Sequence, residues 1–191
     1  MAAPYGGRQA QSYNMEKSAD ERAVEVSDAV PAHARLIQNL MQLYTHDFSE
    51  FWAGTSRGDV DPEGLFTAYP LEDYWSRPNW SAGLIWCAGK LAGFALVNDI
   101  THSGLHAQRN MGEFFILRKY RGNGVGRTAA ETLFSRQPGS WEVAVARRNS
   151  RALQFWRKVV RSSRQASGIE EIDVQSAHWD GPILRFGWSM M

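Results

Sequence analysis

The chain is short of cysteine and of net charge. Of its 191 residues only Cys87 is a cysteine, and 21 lysines and arginines stand against 20 aspartates and glutamates. A single cysteine excludes a framework of intramolecular disulfides and fits a reducing cytoplasm. A formal net charge of +1 gives no general attraction to nucleic acid or to an anionic membrane. Internal repeats and low-complexity tracts are missing as well, so we expect a single globular domain with a sizeable core.

Long hydrophobic runs are also missing. Residues 80–97 are nearly all apolar or small, but Gly89-Lys90 interrupts them. Two runs of about eight residues match a β-hairpin better than a membrane span of about twenty. Residues 1–21 are polar and contain no apolar signal-peptide segment. We therefore predict a flexible tail over residues 1–21, a single domain over residues 22–191, a cytoplasmic location and no membrane partner.

The strongest functional pattern is a glycine turn, in which Gly122, Gly124 and Gly126 alternate between an apolar strand and a helical segment. Without Cβ atoms, the backbone amides of such a turn can approach a ligand closely. The unpaired N–H groups at the start of the following helix favour anions. Arg121 and Arg127 flank the turn with planar cationic donors suited to phosphate. The pattern predicts a phosphate-binding turn, with a plain glycine-rich hairpin or helix cap as the alternative.

Two common phosphate motifs do not fit this turn. A P-loop requires a lysine after its last glycine, whereas Gly126 is followed by Arg127-Thr128. A dinucleotide fingerprint requires a third glycine at the position that Arg127 occupies.

The turn instead resembles the acyl-CoA-binding signature of the GNAT superfamily of N-acetyltransferases, Arg/Gln-x-x-Gly-x-Gly/Ala. Here it reads Arg121-x-x-Gly124-x-Gly126. A second family motif, Asn-x-x-Ala-x-x-Phe-Tyr, is matched by Asn149-x-x-Ala152-x-x-Phe155-Trp156. The two motifs occur in the family's order and at a fitting separation. They lie within residues 113–158, whereas the overall architecture resembles the family over about residues 22–188.

The resemblance implies a fold, a reaction and a binding site. The fold is α/β (α+β), a mixed and mostly antiparallel sheet of six to seven strands with helices on both sides. The reaction moves an acetyl group from acetyl-CoA to a primary amine by direct attack in a ternary complex, without a metal. The backbone N–H near Ile116 would polarise the thioester carbonyl. The residues implied to bind acetyl-CoA are Phe114, Phe115, Ile116, Arg121, Gly122, Asn123, Gly124, Val125, Gly126, Arg127, Thr128, Asn149, Phe155 and Trp156.

A basic segment follows the second strand of this region. From Val143 to Ile169 there is no acidic residue, while seven arginines and lysines fall inside. A solvated helix face is the usual meaning of such a run. The functional alternative is contact with CoA phosphates, chiefly by Arg148 and Arg151 near the helix start. The small overall charge argues against a nucleic-acid partner, because binding to a phosphate backbone needs several simultaneous contacts.

The transfer also needs a group that removes a proton from the attacking ammonium, whose pKa is about 10.4. Glu113 interrupts an apolar segment and would share a strand face with Phe115 and Leu117. Because burying a carboxylate costs free energy, such a residue lies either at a solvated strand end or at a functional site. We predict Glu113 as the base. Glu142, on the other central strand, is the weaker alternative.

The chain departs from the family pattern at the expected general acid. The family's tyrosine is replaced by Trp156, whose indole N–H donates a hydrogen bond but does not relay a proton. We expect Trp156 to pack in the core or beside the thioester. The thiolate then leaves unassisted or with help from another group such as Tyr120. A non-catalytic acyl-CoA-binding or regulatory module remains the alternative function.

The acceptor is predicted from aromatic and acidic residues in the first helix and the following segment. They suit an ammonium-bearing small molecule, either an amine or an amino-acid-like compound. A metal is not expected, since His102 and His106 lie in a loop-like segment without a helix or a third ligand. The sequence leaves the oligomeric state open, a homodimer included. The acceptor-side residues are Tyr44, Asp47, Phe48, Glu50, Phe51, Trp52, Asp73, Tyr74 and Trp75.

Overall fold

The computed structural model describes residues 23–190, so the predicted tail over residues 1–21 lies outside the described range. Within this range the chain forms seven strands and four α-helices. In chain order they are β1 (Val24–Asp28), α1 (Ala34–Ser49), α2 (Asp73–Ser76), β2 (Ser81–Cys87), β3 (Lys90–Asn98), β4 (Arg109–Ile116), α3 (Val125–Arg136), β5 (Gly139–Ala144), α4 (Ser150–Ser162), β6 (Ala166–Gln175) and β7 (Asp180–Trp188).

The strands form one sheet in the order β1-β2-β3-β4-β5-β7-β6. Every neighbouring pair is antiparallel except β4 and β5, which run parallel. A parallel pair needs a crossover connection, and α3 provides it between these two strands. The mixed, mostly antiparallel sheet predicted from the sequence is therefore confirmed.

Helices cover both faces of the sheet and bury one hydrophobic cluster on each. On the side of α3 and α4, the ring of Phe134 lies 4.7 Å from Trp141 and 4.9 Å from Trp188 between centroids. Such aromatic pairs contribute about 0.5–1.5 kcal/mol each beyond the area that they bury. On the side of α1, the cluster includes Phe94 and Phe115. The sheet therefore separates two hydrophobic clusters, one on each face.

The apolar window at residues 80–97 forms the predicted hairpin. Its strands β2 and β3 pair from Ser81↔Val97 to Cys87↔Lys90 and turn at Ala88-Gly89. Cys87 is buried, as expected of a small core residue. Among the helices within residues 23–190, none has both the length and the hydrophobicity that a membrane-spanning segment requires.

Two elements begin earlier than the sequence pattern predicts. The apolar run that starts at Glu113 is only the second half of β4, so Glu113 lies in mid-strand rather than at a strand end. Helix α3 starts at Val125, within the glycine turn that the sequence pattern places before the helix, because Gly124 caps it with a φ of 84°. Gly126 therefore lies in the first helical turn, where an added Cβ would stand 3.3 Å from the Phe155 ring.

A β-bulge in β4 decides which face Glu113 occupies. Leu96 pairs with Glu113 and the next residue of β3, Val97, pairs with Met111, so Gly112 is the extra residue. Met111 packs on the α3 side of the sheet, whereas Phe115 packs on the α1 side. Because alternation resumes after the bulge, Glu113 shares the α1 side with Phe115. A Cβ at Gly112 would lie 2.6 Å from the Asn98 side-chain nitrogen, so the bulge requires glycine.

Candidate active site

The two central strands separate soon after they meet. Strands β4 and β5 pair only at Arg109↔Trp141 and Asn110↔Glu142. From Met111 onward the edge of β4 that faces β5 has no strand partner. The sheet therefore contains an opening between β4 and β5, bounded at its wide end by the start of α3.

The polar backbone groups of Ile116 point into this opening. The Leu117 N–H donates a hydrogen bond to the Ala92 carbonyl at 2.8 Å, on the opposite side of β4. Since successive residues of a strand turn their backbone groups to opposite edges, those of Ile116 face β5. The Ile116 carbonyl accepts a hydrogen bond from Arg121 Nε at 2.6 Å, which agrees with this orientation. Its N–H lies at the unpaired edge, where the sequence analysis expected an oxyanion donor.

The glycine turn presents consecutive amides without protein partners. Within residues 23–190, none of the N–H groups from Gly122 to Arg127 donates a hydrogen bond to another residue. Gly122 and Gly124 both have positive φ values, 80° and 84°. The turn is exposed, and the first turn of α3 adds its positive dipole end. This geometry is that of an anion-binding site.

The two arginines of the turn are occupied by protein groups. Arg121 binds the Ile116 carbonyl and, through Nη2, the Asp47 carboxylate at 2.6 Å. Arg127 pairs with Glu131 one helical turn later, at 2.9 Å. Their side chains therefore brace the turn against α1 and along α3. The amides, rather than the guanidinium groups, provide the open donors.

The α4 side of the opening is aromatic. The Phe114 ring stacks on Phe155 with 6.0 Å between centroids and meets Trp156 at 5.1 Å. Trp156 is 5% exposed and belongs to the core cluster on this side, as its spacing predicted. Phe115, in contrast, is buried on the α1 side, where Arg121 lies over its ring. Its side chain thus lies away from the opening.

The second sequence motif forms a helix cap. The Asn149 side-chain oxygen accepts a hydrogen bond from the Ala152 N–H at 3.0 Å and begins α4. Beside it lies a polar depression of about 240 Å³, lined by Glu50, Phe51 and residues 148–151. Arg148 donates to the Phe51 carbonyl at 2.9 Å and ties this cap to the end of α1. Arg151 is exposed at the same rim.

A larger surface depression lies elsewhere. It has a volume of about 500 Å³, has leucines at four of its seven lining positions, and contains Arg35 as its one charged residue. It lies on the outer side of α1 and offers neither a nucleophile nor an acid–base pair. We therefore place the candidate site at the opening between β4 and β5.

Glu113 lies on the other side of β4 from the aromatic wall, beneath α1. It keeps partial exposure to solvent, yet burial raises the pKa of its carboxyl from 4.5 to about 7. The nearby side chains of Tyr44 and Tyr69 oppose this rise and lower the pKa in part. Burial and the neighbouring Glu113 raise the pKa of Tyr44 and Tyr69 in turn, so both phenols stay protonated. A carboxyl with a pKa near neutrality suits a general base.

Tyr69 is placed by the long connection between α1 and α2. The Gln38 side chain of α1 makes two hydrogen bonds to the Tyr69 backbone. It accepts from the N–H at 3.1 Å and donates to the carbonyl at 2.5 Å. Gln42, one turn later, binds the Phe66 backbone in the same way at 2.8 and 3.0 Å. The sequence gives no signal for a role of Tyr69, because its contact with Gln38 joins segments 31 residues apart and has no local pattern.

Glu142 has a different environment. Its carboxylate is fully buried and accepts hydrogen bonds from the His102 and Ser103 amides and from the Ser103 hydroxyl. Arg185 Nε lies 3.9 Å from it. These contacts fasten the loop between β3 and β4 to the sheet. A fully buried carboxylate whose oxygens are occupied by protein donors is closed to an incoming amine, which favours Glu113 as the base candidate.

The predicted acceptor-side residues divide into two groups. Asp47 is neutralised by Arg118 and Arg121, so it does not present a free charge. Phe48 packs on Phe51 and Trp52 at the end of α1.

Within residues 23–190, no three histidine, cysteine or acidic side chains are arranged to hold a metal ion.

These features coincide with a known family. The model of the acetyltransferase (GNAT) family matches residues 37–160, which is more than half of the chain. The chain belongs to this family. GNAT enzymes are acyltransferases that use acetyl-CoA as the cosubstrate, so transferase activity follows at the level of the family.

Solved structures agree in fold. The chain is similar to an acetyltransferase from Thermus thermophilus (TM-score 0.58, 15% identity, covering 87% of this chain and 96% of that one). It is also similar to a GNAT acetyltransferase from Staphylococcus aureus, with a TM-score of 0.56 and 11% identity. That match covers 87% of this chain and 100% of the other. An aminoglycoside N(6′)-acetyltransferase from Legionella pneumophila has a TM-score of 0.52 at 12% identity. That match covers 87% of this chain and 91% of the other. At these identities the likeness concerns the fold alone. No curated protein sequence matches this chain significantly.

The residues at the opening fit acetyl-CoA. The unpartnered amides of the glycine turn suit a diphosphate, and the unpaired edge of β4 suits an amide-bearing arm that hydrogen-bonds to a strand. The aromatic wall of Phe114 and Phe155 suits the apolar acyl end.

The turn can be tested with a pair of glycine variants. Gly124 and Gly104 have φ values of 84° and 73°, and an added Cβ meets nothing within 4 Å at either position. Alanine should cost about 1 kcal/mol of stability at both, because the left-handed conformation is strained. Only Gly124→Ala should weaken acetyl-CoA binding, by about tenfold in calorimetry. Equal dissociation constants for the two variants would contradict a role of the turn in binding.

The raised pKa of Glu113 predicts a pH-dependent gain in stability for Glu113→Gln. The folded pKa lies above the ordinary value, so the contribution of Glu113 to stability is present at low pH and is lost as the pH rises through about 7. The variant should therefore melt at a higher temperature than the native chain at pH 8, and the difference should shrink toward pH 5. Glu72→Gln, which also removes one negative charge, is the control. A difference that does not change with pH would contradict the assignment.

Replacing Glu142 should cause a large loss of stability. Glu142→Ala leaves the donors of His102 and Ser103 buried without an acceptor, and should lower the free energy of unfolding by about 3 kcal/mol or more. Glu170→Ala is the matched control. It removes an exposed partner of Arg185 and should cost less than about 1 kcal/mol. Urea denaturation measures both, and similar small losses would show that Glu142 does not anchor the loop.

Proposed function

We propose that the chain is an N-acetyltransferase that moves the acetyl group of acetyl-CoA to the primary amine of a small molecule. The observation that carries this proposal is the opening between β4 and β5. On one side of it are unpartnered amides and an aromatic wall, and beneath α1 lies a carboxyl whose pKa is about 7. Donor and acceptor would thus approach the same strand from opposite faces of the sheet.

Acetyl-CoA supplies an activated acyl group as its thioester. The Ile116 N–H would donate to the carbonyl oxygen of that thioester and stabilise the negative charge that develops there. The neutral amine nitrogen forms a bond to the carbonyl carbon, the carbon–sulfur bond breaks, and the second proton that the nitrogen releases passes to the departing thiolate or to solvent. The products are an amide and free CoA. Glu113 accepts the proton that the ammonium must lose, directly or through a water molecule.

Trp156 gives the reaction no obvious acid. Its side chain is buried against Phe114 and Phe134, and an indole does not exchange its proton usefully. We propose that the thiolate leaves without a dedicated proton donor, or with Tyr120, which packs partly buried against the same cluster. The low pKa of a thiol relative to an alkylammonium makes unassisted departure feasible.

The test is thiol release with acetyl-CoA and pooled small primary amines. The native chain should release CoA above the level without protein, and kcat/KM should fall as the pH drops below about 7, because protonated Glu113 cannot accept a proton. Glu113→Gln should lower kcat by about 10²- to 10³-fold and remove this acidic limb. Its dissociation constant for acetyl-CoA should stay within about twofold of the native value, since Glu113 lies on the other face of β4.

A non-catalytic acyl-CoA-binding module is the second candidate, favoured by the tryptophan in place of the family's tyrosine. Binding of acetyl-CoA without thiol release from any amine pool would support that module. Release only with protein N-termini or lysine side chains would contradict a small-molecule acceptor.

A further inference from the structure

Glu113 is a partly buried carboxylate without a cationic partner. Within residues 23–190, no arginine, lysine or histidine nitrogen lies within 4.0 Å of it. Other shielded carboxylates of this chain are compensated, Asp47 by two arginines and Glu171 by two more. An uncompensated carboxylate inside a protein is costly, and such groups cluster at functional sites.

The surroundings of Glu113 are phenolic. Tyr44 and Tyr69 flank the carboxylate, and Tyr74 stands behind Tyr69 with 6.4 Å between ring centroids. The Tyr74 hydroxyl accepts a hydrogen bond from Asn98 at 3.1 Å. Asp73, in α2, is paired with Arg77 at 3.2 Å and adds no free charge. This side of β4 therefore offers aromatic faces and the negative charge of Glu113, which together favour a cation.

The arginines on this side of the sheet are already engaged. Arg118 and Arg121 share Asp47, and Arg121 also binds the Ile116 carbonyl. Arg185 meets Glu142, Glu170 and the His106 carbonyl. Arg148 donates to the Phe51 carbonyl, next to Glu50. A carboxylate entering beside Glu113 would meet a like charge, and within residues 23–190 no cationic nitrogen lies within 4.0 Å of Glu113 to offset it.

Resting on the proposed function, we propose that the acceptor is a primary amine with no carboxylate beside its amino group, and that the site rejects the parent α-amino acid. The ammonium group binds Glu113 between Tyr44 and Tyr69. The two hydrogen bonds between the Gln38 side chain and the Tyr69 backbone keep that phenol in place. This narrows the acceptor from amines and amino-acid-like compounds to amines alone.

The experiment compares matched series that differ only in the group beside the amine. Tyramine, tyrosine amide and tyrosine form one series. Tryptamine, tryptophan amide and tryptophan form a second, and isopentylamine, leucine amide and leucine a third. The neutral carboxamide controls for bulk, because it resembles a carboxylate in size without its charge. Each compound is assayed for thiol release with acetyl-CoA, and its binding to CoA-saturated protein is measured by calorimetry.

We expect the amine and the amide of at least one series to exceed the amino acid by at least about 100-fold in kcat/KM or in binding, because juxtaposed like charges cost several kcal/mol. In Glu113→Gln, binding should show this preference reduced at least about tenfold. An amino acid used or bound within tenfold of its amine overturns the inference. Equal rejection of amide and amino acid also overturns it, since bulk would then be the cause.

The two proposals fail in different ways. Selective binding of the amines without thiol release would leave the inference standing and contradict the transferase. Thiol release with amino acids as good acceptors would support the transferase and contradict the inference. Binding of no member of the three series by the CoA-saturated protein would overturn the inference.

Discussion

The site depends on the place where two parallel strands stop pairing. Strands β4 and β5 share hydrogen bonds around Arg109 and Asn110, and then diverge. In a continuous ladder the Ile116 amide would be bonded to a neighbouring strand and would be unable to bind a ligand. Divergence leaves that edge open within the middle of a sheet whose two faces are otherwise covered. Unpaired backbone groups are normally costly, so an opening of this kind indicates a binding function.

The sheet then keeps two kinds of charge apart. The unpartnered amides of the glycine turn and α3 carry partial positive charge on one side of β4. Glu113 carries the negative charge beneath α1 on the other. The Gly112 bulge places Glu113 on the face opposite Met111, and regular alternation then places Phe114 on the face opposite Glu113. Since an anion and an ammonium group need opposite surroundings, a single strand with a bulge can serve both.

Long-range contacts make the acceptor side rigid. Two glutamines of α1 bind the backbone of a connection that has little regular structure of its own, and so hold Tyr69 against Glu113. Asp47 draws Arg118 and Arg121 toward α1. Each of these two arginines is therefore paired with a carboxylate of α1.

Local pattern was sufficient for much of this protein. The hairpin at residues 80–97, the glycine turn, the cap at Asn149 and the burial of Trp156 all depend on neighbouring residues or on helical spacing, and the sequence carries that information directly. The start of β4 and the length of α3 were missed, since a bulge and a left-handed cap interrupt the period on which such predictions rest. The occupied side chains of Arg121 and Arg127, the anchoring role of Glu142 and the contact of Tyr69 with Glu113 were decided only by tertiary structure. Each depends on partners distant in sequence, and the proton affinity of a carboxylate is set by what surrounds it in space rather than by its neighbours in the chain.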